Sequence, residues 1–270
     1  RNFREIVRGR SGADSAKLHS LMHRGRFFRV DGPLNIQRSE QGHPVLFQAG
    51  ASEGGRNLAA RTADAIFGMP RTIDDARTYY EDLKRRAVAF GRSEDDIIVL
   101  AGVDVVVAES AEEAERKYRT ACSYVSYEES LGWISVFFGN HDFTQYDPDA
   151  RFPDMGSLGV NAYRSQVDYI QQIVAEQGLT LREVAARFAI PRTDFIGGAQ
   201  QVADTFERWF CSSAADGFVL TASVGRLQDV YELVLPILQR RGLFRLDYEA
   251  DTFRGHLGLP HVPNRHATAG

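Results

Sequence analysis

Pro44-Val45-Leu46-Phe47-Gln48-Ala49-Gly50-Ala51-Ser52-Glu53-Gly54-Gly55-Arg56 is the stretch on which the fold turns. Val45 to Ala49 is a brief apolar run introduced by a proline, the pattern of a short buried strand. Gly50 stops it. Ser52 then precedes Arg56-Asn57-Leu58-Ala59-Ala60-Arg61, where its hydroxyl is placed to cap a helix. Strand, tight turn and helix follow within about a dozen residues.

The same rhythm continues downstream. Ala65 to Gly68 reads as another short buried strand, and Thr72-Ile73-Asp74-Asp75 signals a helix start. Ala76, Tyr79, Tyr80, Leu83, Ala87 and Phe90 recur at three and four, giving that helix one buried face until Gly91 ends it. Residues 97–107 are β-branched and predict a long strand, after which Ser110-Ala111-Glu112-Glu113 caps another helix. Strands alternating with amphipathic helices mark a parallel α/β sheet.

The alternation breaks over residues 133–192, an insertion region. An aromatic loop, Phe137-Phe138-Gly139-Asn140-His141-Asp142-Phe143-Thr144-Gln145-Tyr146, leads into two helical stretches at 161–177 and 180–189. Insertions of this kind usually sit at the active-site face of an α/β scaffold. The pattern resumes with Phe195-Ile196-Gly197-Gly198, a helix through Phe210, a strand at 217–220 and a helix at 229–240; residues 243–270 read as an irregular tail. Upstream, residues 1–20 are polar and weakly helical. His23 to Val30 alternates around a glycine and stops at Asp31-Gly32-Pro33, which predicts a hairpin.

Composition narrows the partners. The 270 residues are 43% hydrophobic, enough for one large domain or two small ones. Thirty-two basic against 36 acidic side chains leave a formal charge of −4, which argues against nucleic acid or an anionic membrane as the main partner. Cys122 and Cys211 lie far apart with no metal-ligand spacing, so both are expected to be free thiols. The longest apolar run, 97–108, is too short for a membrane helix and contains Asp104. No signal-peptide pattern opens the chain, and a soluble cytoplasmic protein is expected. The chain starts at Arg1, without methionine, in what reads as the end of a helix; a fragment is expected.

Chemistry points first to Gly50-Ala51-Ser52. A helix N-terminus carries unpaired N–H groups and partial positive charge, and small residues let an anion approach. The same residues also describe an ordinary tight turn capped by serine. The spacing matches neither a Walker loop nor GxGxxG. Gly197-Gly198 reads as a loop requiring positive φ. No HExxH pattern and no carboxylate cluster point to a metal, and no GxSxG elbow is present. His141, beside Asn140 and Asp142, is the best-placed acid–base or substrate-contact candidate.

The segment 44–56, with Ala59-Ala60-Arg61 and Ala63-Asp64-Ala65-Ile66-Phe67, resembles the bacterial-luciferase-like flavin monooxygenases. Within them it is similar to the nitrilotriacetate and dibenzothiophene-sulfone monooxygenase branch. His23-Arg24-Gly25-Arg26-Phe27-Phe28, Phe195-Ile196-Gly197 with Val202-Ala203-Asp204, Asp216 to Leu220, and Leu235 to Gln239 also match. The resemblance implies a (β/α)8 TIM barrel of which this single domain supplies the C-terminal half, strands five to eight. It implies a two-component monooxygenase using reduced FMN, delivered by a separate NAD(P)H:flavin reductase, and O2. A small organic substrate (organosulfur or aminopolycarboxylate, for example) would be oxidised through a flavin C4a-hydroperoxide.

Carried onto this chain, Ala51, Ser52 and Gly54 would lie near the FMN phosphate, with Gln48, Ala49 and Gly50 beside the flavin. Phe138, Asn140 and His141 would contact substrate. A homo-oligomer is expected. Two alternatives stay open: a deazaflavin oxidoreductase of the same superfamily, and a non-catalytic half-barrel subunit or fragment.

Overall fold

The computed structural model describes residues 19–34, 36–158, 163–221 and 224–264. The chain divides into two compact units, residues 1–44 with 251–270, and residues 45–250. In the first, β1 (His23–Arg24) and β2 (Arg29–Val30) pair antiparallel as the expected hairpin, with the Gly25 N–H donating to the Phe28 carbonyl at 2.9 Å. The expected weak helix before it lies almost wholly outside the described residues. The tail is not wholly irregular: Thr252 caps a helical turn, Phe253–His256, its hydroxyl accepting the Gly255 N–H. Within that turn Arg254 is buried, and its backbone N–H donates to Gln41 Oε1 at 3.0 Å. His19 and His23 stand four apart, but on non-helical backbone, where that spacing does not align two imidazoles.

The second unit is built on parallel strands. β3 (Phe47–Ala49), β4 (Ala65–Gly68), β5 (Ile98–Asp104) and β8 (Gly217–Thr221) form one sheet in the order β3-β4-β5-β8. The long strand expected at 97–107 breaks at Val105. Its continuation β6 (Val106–Ala108) pairs with β7 (Ile196–Gly198) instead. Helices α1 (Glu53–Thr62), α2 (Ile73–Ala89) and α3 (Ala111–Tyr124) start at Ser52, Thr72 and Ser110, each of which caps through its hydroxyl.

Period two along β5 sorts the sheet into two faces. Val99, Ala101 and Val103 are buried, in register with Ile66 of β4 and Phe218 and Leu220 of β8. Ala59, Ala63, Leu83 and Ala87 of α1, its C-cap and α2 complete one cluster around Ile66 and Val99. A second cluster joins Val103, Val105 and Val107 to α7 (Ala199–Cys211) through Phe206 and Trp209. The opposite face carries Phe47, Phe67, Leu100, Gly102, Asp104, Val219 and Thr221; there Phe47 is 50% exposed and Val219 37%. The strand at 45–49 is therefore less buried than its composition predicts, because β3 is the sheet edge.

The inserted segment has its own core. α4 (Tyr127–Phe137), α5 (Arg164–Gln177) and α6 (Leu181–Ala189) enclose Ile134, Phe138, Phe143, Phe152, Ile170, Leu181 and Val184. The last expected helix is interrupted: α8 (Leu227–Asp229) passes through a π turn, Val230–Val234, into α9 (Leu235–Arg240). Pro236 lacks the N–H that an α-helix needs at that point. Gly197 and Gly198 do not take positive φ, contrary to expectation. A Cβ on Gly198 would come 3.3 Å from the Ala111 nitrogen, so close approach of β7 to α3 is the constraint. No helix of the described residues is long and apolar enough to cross a membrane.

One carboxylate ties three elements together. Asp216, just before β8, accepts the Val99 N–H of β5 at 2.8 Å and the Tyr80 hydroxyl of α2 at 2.9 Å, and meets Lys84 Nζ at 2.9 Å. Lys84 also donates to the Ile97 carbonyl at 2.7 Å, so its buried ammonium is fully partnered. Burial, then the Asp216 charge, push the Tyr80 phenol up and keep it a donor. Asp216→Ala strands that ammonium. Urea unfolding of the variant is expected to show a loss of about 3 kcal/mol; a change below about 0.5 kcal/mol, the range of ordinary surface substitutions, would remove Asp216 from this role.

Candidate functional site

All four strands of the main sheet run the same way, so their C-terminal ends share one rim. Ala49 and Gly50, Gly68, Asp104 and Thr221 lie there, and the rim is where α/β folds place ligands. Thr221 Oγ1 donates to Asp104 Oδ1 at 2.6 Å, joining β8 to β5.

The β3-to-α1 turn is the best-formed part. Ser52 is extended (φ −66°, ψ 157°), and its Oγ accepts the Gly55 N–H at 3.2 Å. Its own hydroxyl proton is left to donate outward. The N–H groups of Glu53 and Gly54 precede the first intrahelical bond and have no acceptor within the helix. A Cβ placed on Gly54 would meet nothing within 4 Å, so the turn opens onto free space. Tyr79 of α2 fixes the strand end, its hydroxyl donating to the Gly50 carbonyl at 3.0 Å. Burial pushes that phenol up to about 12, with Arg56 offsetting part of the effect, so it stays protonated.

Glu53 places a negative charge in the first turn, where it would repel an anion. Arg86 of α2 removes that obstacle with a bidentate pair to Glu53, at 2.7 and 2.9 Å. The Arg86 hydrogen bond is also the main cause of the lowered Glu53 carboxyl. Below it, Asp82 accepts from Arg56 Nη1 and Arg86 Nε, both at 2.7 Å, and from Arg85. Three arginines against two carboxylates leave the clamp positive on balance.

An unpartnered acceptor lies beside the turn. Among the described residues Gln48 Oε1 is buried with no hydrogen-bond partner, although the Gln48 amide packs against Gly50 and Gly55. A buried acceptor of this kind is costly unless a ligand supplies the donor. A phosphate at the turn, with a ring system offering N–H groups near Gln48, fits both features.

The other expected site residues lie in the inserted segment. Phe138 is packed into its core, with ring centroids 5.5 Å from Phe143 and 5.9 Å from Phe152. Asn140 is exposed in a left-handed conformation (φ 63°). His141 is half-buried; Nε2 is 3.0 Å from the Tyr146 hydroxyl, and its ring stands edge-on to Phe143. Its partners thus belong to its own loop. The structure gathers Gln48, Ala49, Gly50, Ala51, Ser52 and Gly54 at one turn, and Phe138, Asn140 and His141 at another. Tyr79, Arg56, Asp82 and Arg86 were not among the expected residues: helical periodicity assigns Tyr79 to a core face and says nothing of where its hydroxyl reaches.

The family model for luciferase-like monooxygenases matches residues 3–217. Nitrilotriacetate monooxygenase component A of Aminobacter aminovorans is 38% identical over 266 residues, 97% of this chain and 58% of that protein. Dibenzothiophene-sulfone monooxygenase of Rhodococcus erythropolis is 32% identical over 255 residues, 92% of this chain and 56% of that protein. The crystal structure of riboflavin lyase with modified FMN and riboflavin superposes with a TM-score of 0.73 at 32% identity, covering 92% of this chain and 55% of that one. The chain spans somewhat more than half the length of the relatives it matches.

The clamp beneath the turn has a defined acid response. Burial alone would raise the Asp82 carboxyl, but the Arg86 hydrogen bond and the Arg56 charge outweigh it and hold Asp82 below its ordinary 3.8. Its contribution is complete above 3.8 and disappears as pH falls through the lower folded value. Protection of the hydrogen-bonded amides of residues 55–58, relative to their intrinsic exchange, is expected to hold down to that range and to be lost below it. Asp82→Asn should bring that loss to neutral pH; unchanged protection in that variant would show that the clamp does not hold α1.

Proposed function

Because the chain belongs to the luciferase-like monooxygenase family, we propose that it carries the phosphate-binding side of a reduced-FMN site in a two-component monooxygenase. The observation that carries this reading is the open N-terminus of α1, freed of its own negative charge by the Glu53–Arg86 pair. The Ser52 hydroxyl and the Glu53 and Gly54 N–H groups would hold the phosphate, with Ala51 allowing close approach. Gln48, with Ala49 and Gly50, would lie along the flavin, its unpartnered Oε1 accepting from the ring.

Bound reduced flavin supplies the electrons that activate O2, and a separate NAD(P)H:flavin reductase would deliver it. The chain's own residues orient and exclude water. Tyr79 holds the end of β3 against α2, and Phe67 and Leu100 line the uncovered face of the sheet. Asn140 and His141 would reach substrate from the inserted segment, with the His141 ring held by its hydrogen bond to the Tyr146 hydroxyl. Small organic molecules are the proposed substrate class.

The sheet itself supports a further part of the reading. Parallel sheets are normally covered on both faces, and β3 and β8 end this one with open edges while Phe47 and Val219 stay exposed. Additional polypeptide pairing with those edges would close the barrel and complete the flavin face.

The test is direct titration of the chain with FMN, reduced FMN and a deazaflavin, followed by fluorescence and calorimetry. Ser52→Asp keeps a good helix cap but sets charge against the phosphate. It is expected to weaken FMN binding about tenfold, or about 1.4 kcal/mol, with unchanged circular dichroism. Unaltered affinity would remove Ser52 from the site, and tighter binding of the deazaflavin would replace FMN. Substrate oxidation is then assayed with flavin reductase, NADH and O2, with and without a polypeptide completing the barrel.

A further inference from the structure

The inserted helices present a row of aromatic rings that the FMN reading does not use. Phe137, at the end of α4, meets Tyr163 at 5.6 Å between centroids and Phe188 of α6 at 6.0 Å. Phe188 meets Tyr169 of α5 at 6.0 Å. All three contacts are edge-on. Tyr163 is 53% exposed and the other three are half-buried, so the row forms a wall rather than a core.

Arg71 closes one end of that wall. Its guanidinium sits 3.7 Å over the centre of the Tyr169 ring and donates to Gln166 Oε1. Arg71 follows β4 by three residues, and β4 pairs with β3 up to Ala49↔Phe67. The cation therefore stands past the strand ends, on the same rim as Gly50.

Its charge is answered only at a distance, by Asp75. Arg56, Arg86 and Arg241 each meet two carboxylates, and Arg92 is enclosed by main-chain carbonyls. Arg71 forms no ion pair among the described residues. One neutral acceptor leaves most of its five N–H donors available. Packing against its neighbours pulls the guanidinium below the usual arginine range, with Tyr169 and Asp75 offsetting part of this, while the residue as a whole stays exposed. An accessible cation stacked on an aromatic face is suited to a planar, bidentate anion.

We propose that Arg71 and the rings of Phe137, Tyr163, Tyr169 and Phe188 form a substrate subsite for a small organic carboxylic acid. The carboxylate lies on the Arg71 fork and the apolar or aromatic body lies along the rings. This deepens the monooxygenase reading and rests on it for the assumption that the rim is the reacting side. An acid held there extends from its anchored end along the same rim as the flavin cradle.

Benzoate and benzamide share a shape and differ in charge, so they serve as probes. Ligand-observed NMR titration of the 270-residue chain is expected to show benzoate binding at least about fivefold tighter than benzamide. Arg71→Gln should abolish that preference, Arg71→Lys should keep part of it, and Tyr169→Leu should weaken both probes together. Equal affinity for the two probes, or unchanged benzoate affinity in a natively folded Arg71→Gln, overturns the subsite. FMN titration of the same proteins separates the two readings. Lost benzoate preference with FMN binding intact removes the subsite alone, whereas benzoate preference in a chain that binds no FMN retains the acid-binding cluster and removes the flavin assignment.

Discussion

A parallel strand fully buried on one face and partly covered on the other governs the second unit. Along β5 the odd residues Val99, Ala101 and Val103 go under the helices, and the even residues Leu100, Gly102 and Asp104 face the other way. Because the other strands of the sheet run in the same direction, every strand-to-helix turn of the sheet emerges at one rim. Asp216 locks the arrangement by bonding β5, α2 and the start of β8 through one carboxylate. A slip of β8 by one residue would exchange Phe218 and Leu220 for Val219 in the core and detach Asp216 from Val99.

The rim acquires its chemistry from charge placed around it. A helix N-terminus attracts anions only if its own first turn does not already supply one, and Glu53 does. Arg86 cancels that charge with two hydrogen bonds, while Asp82 holds Arg86 and Arg56 in position from beneath. The proposed anion turn is thus not a property of residues 48–55 alone. It depends on α2, whose arginines are set by a carboxylate three and four positions earlier.

Much of this was legible in the sequence, and the reason is locality. Ser52, Thr72 and Ser110 announce their helices because a cap acts on an N–H three residues away. The helical face of α2 follows from period alone. What depends on distant neighbours was not legible. Leu46 and Phe47 read as buried, since their exposure follows from edge position in the sheet. Gly197-Gly198 reads as a left-handed loop, whereas the constraint is contact with α3. In Phe137-Phe138 the pattern cannot say which ring turns inward; Phe138 fills the core of the insert and Phe137 joins the exposed wall. Arg71 carries no motif, and its setting depends on Gln166 and Tyr169, about a hundred residues later.

The insert and the sheet therefore solve different problems. The turn at residues 48–55 comes from elements adjacent in sequence and packed by a common core. The aromatic wall stands on helices with a separate core of Ile134, Phe138, Ile170 and Val184, so its rings can vary without disturbing β3, α1 or α2. Arg71 is one of the side chains that cross between them: its backbone belongs to the strand end, while its guanidinium is held by α5. Under the proposed reading, a scaffold with cofactor binding on the sheet and substrate discrimination on the insert could change one while keeping the other. An acid on Arg71 would then be held on the rim where the flavin would lie.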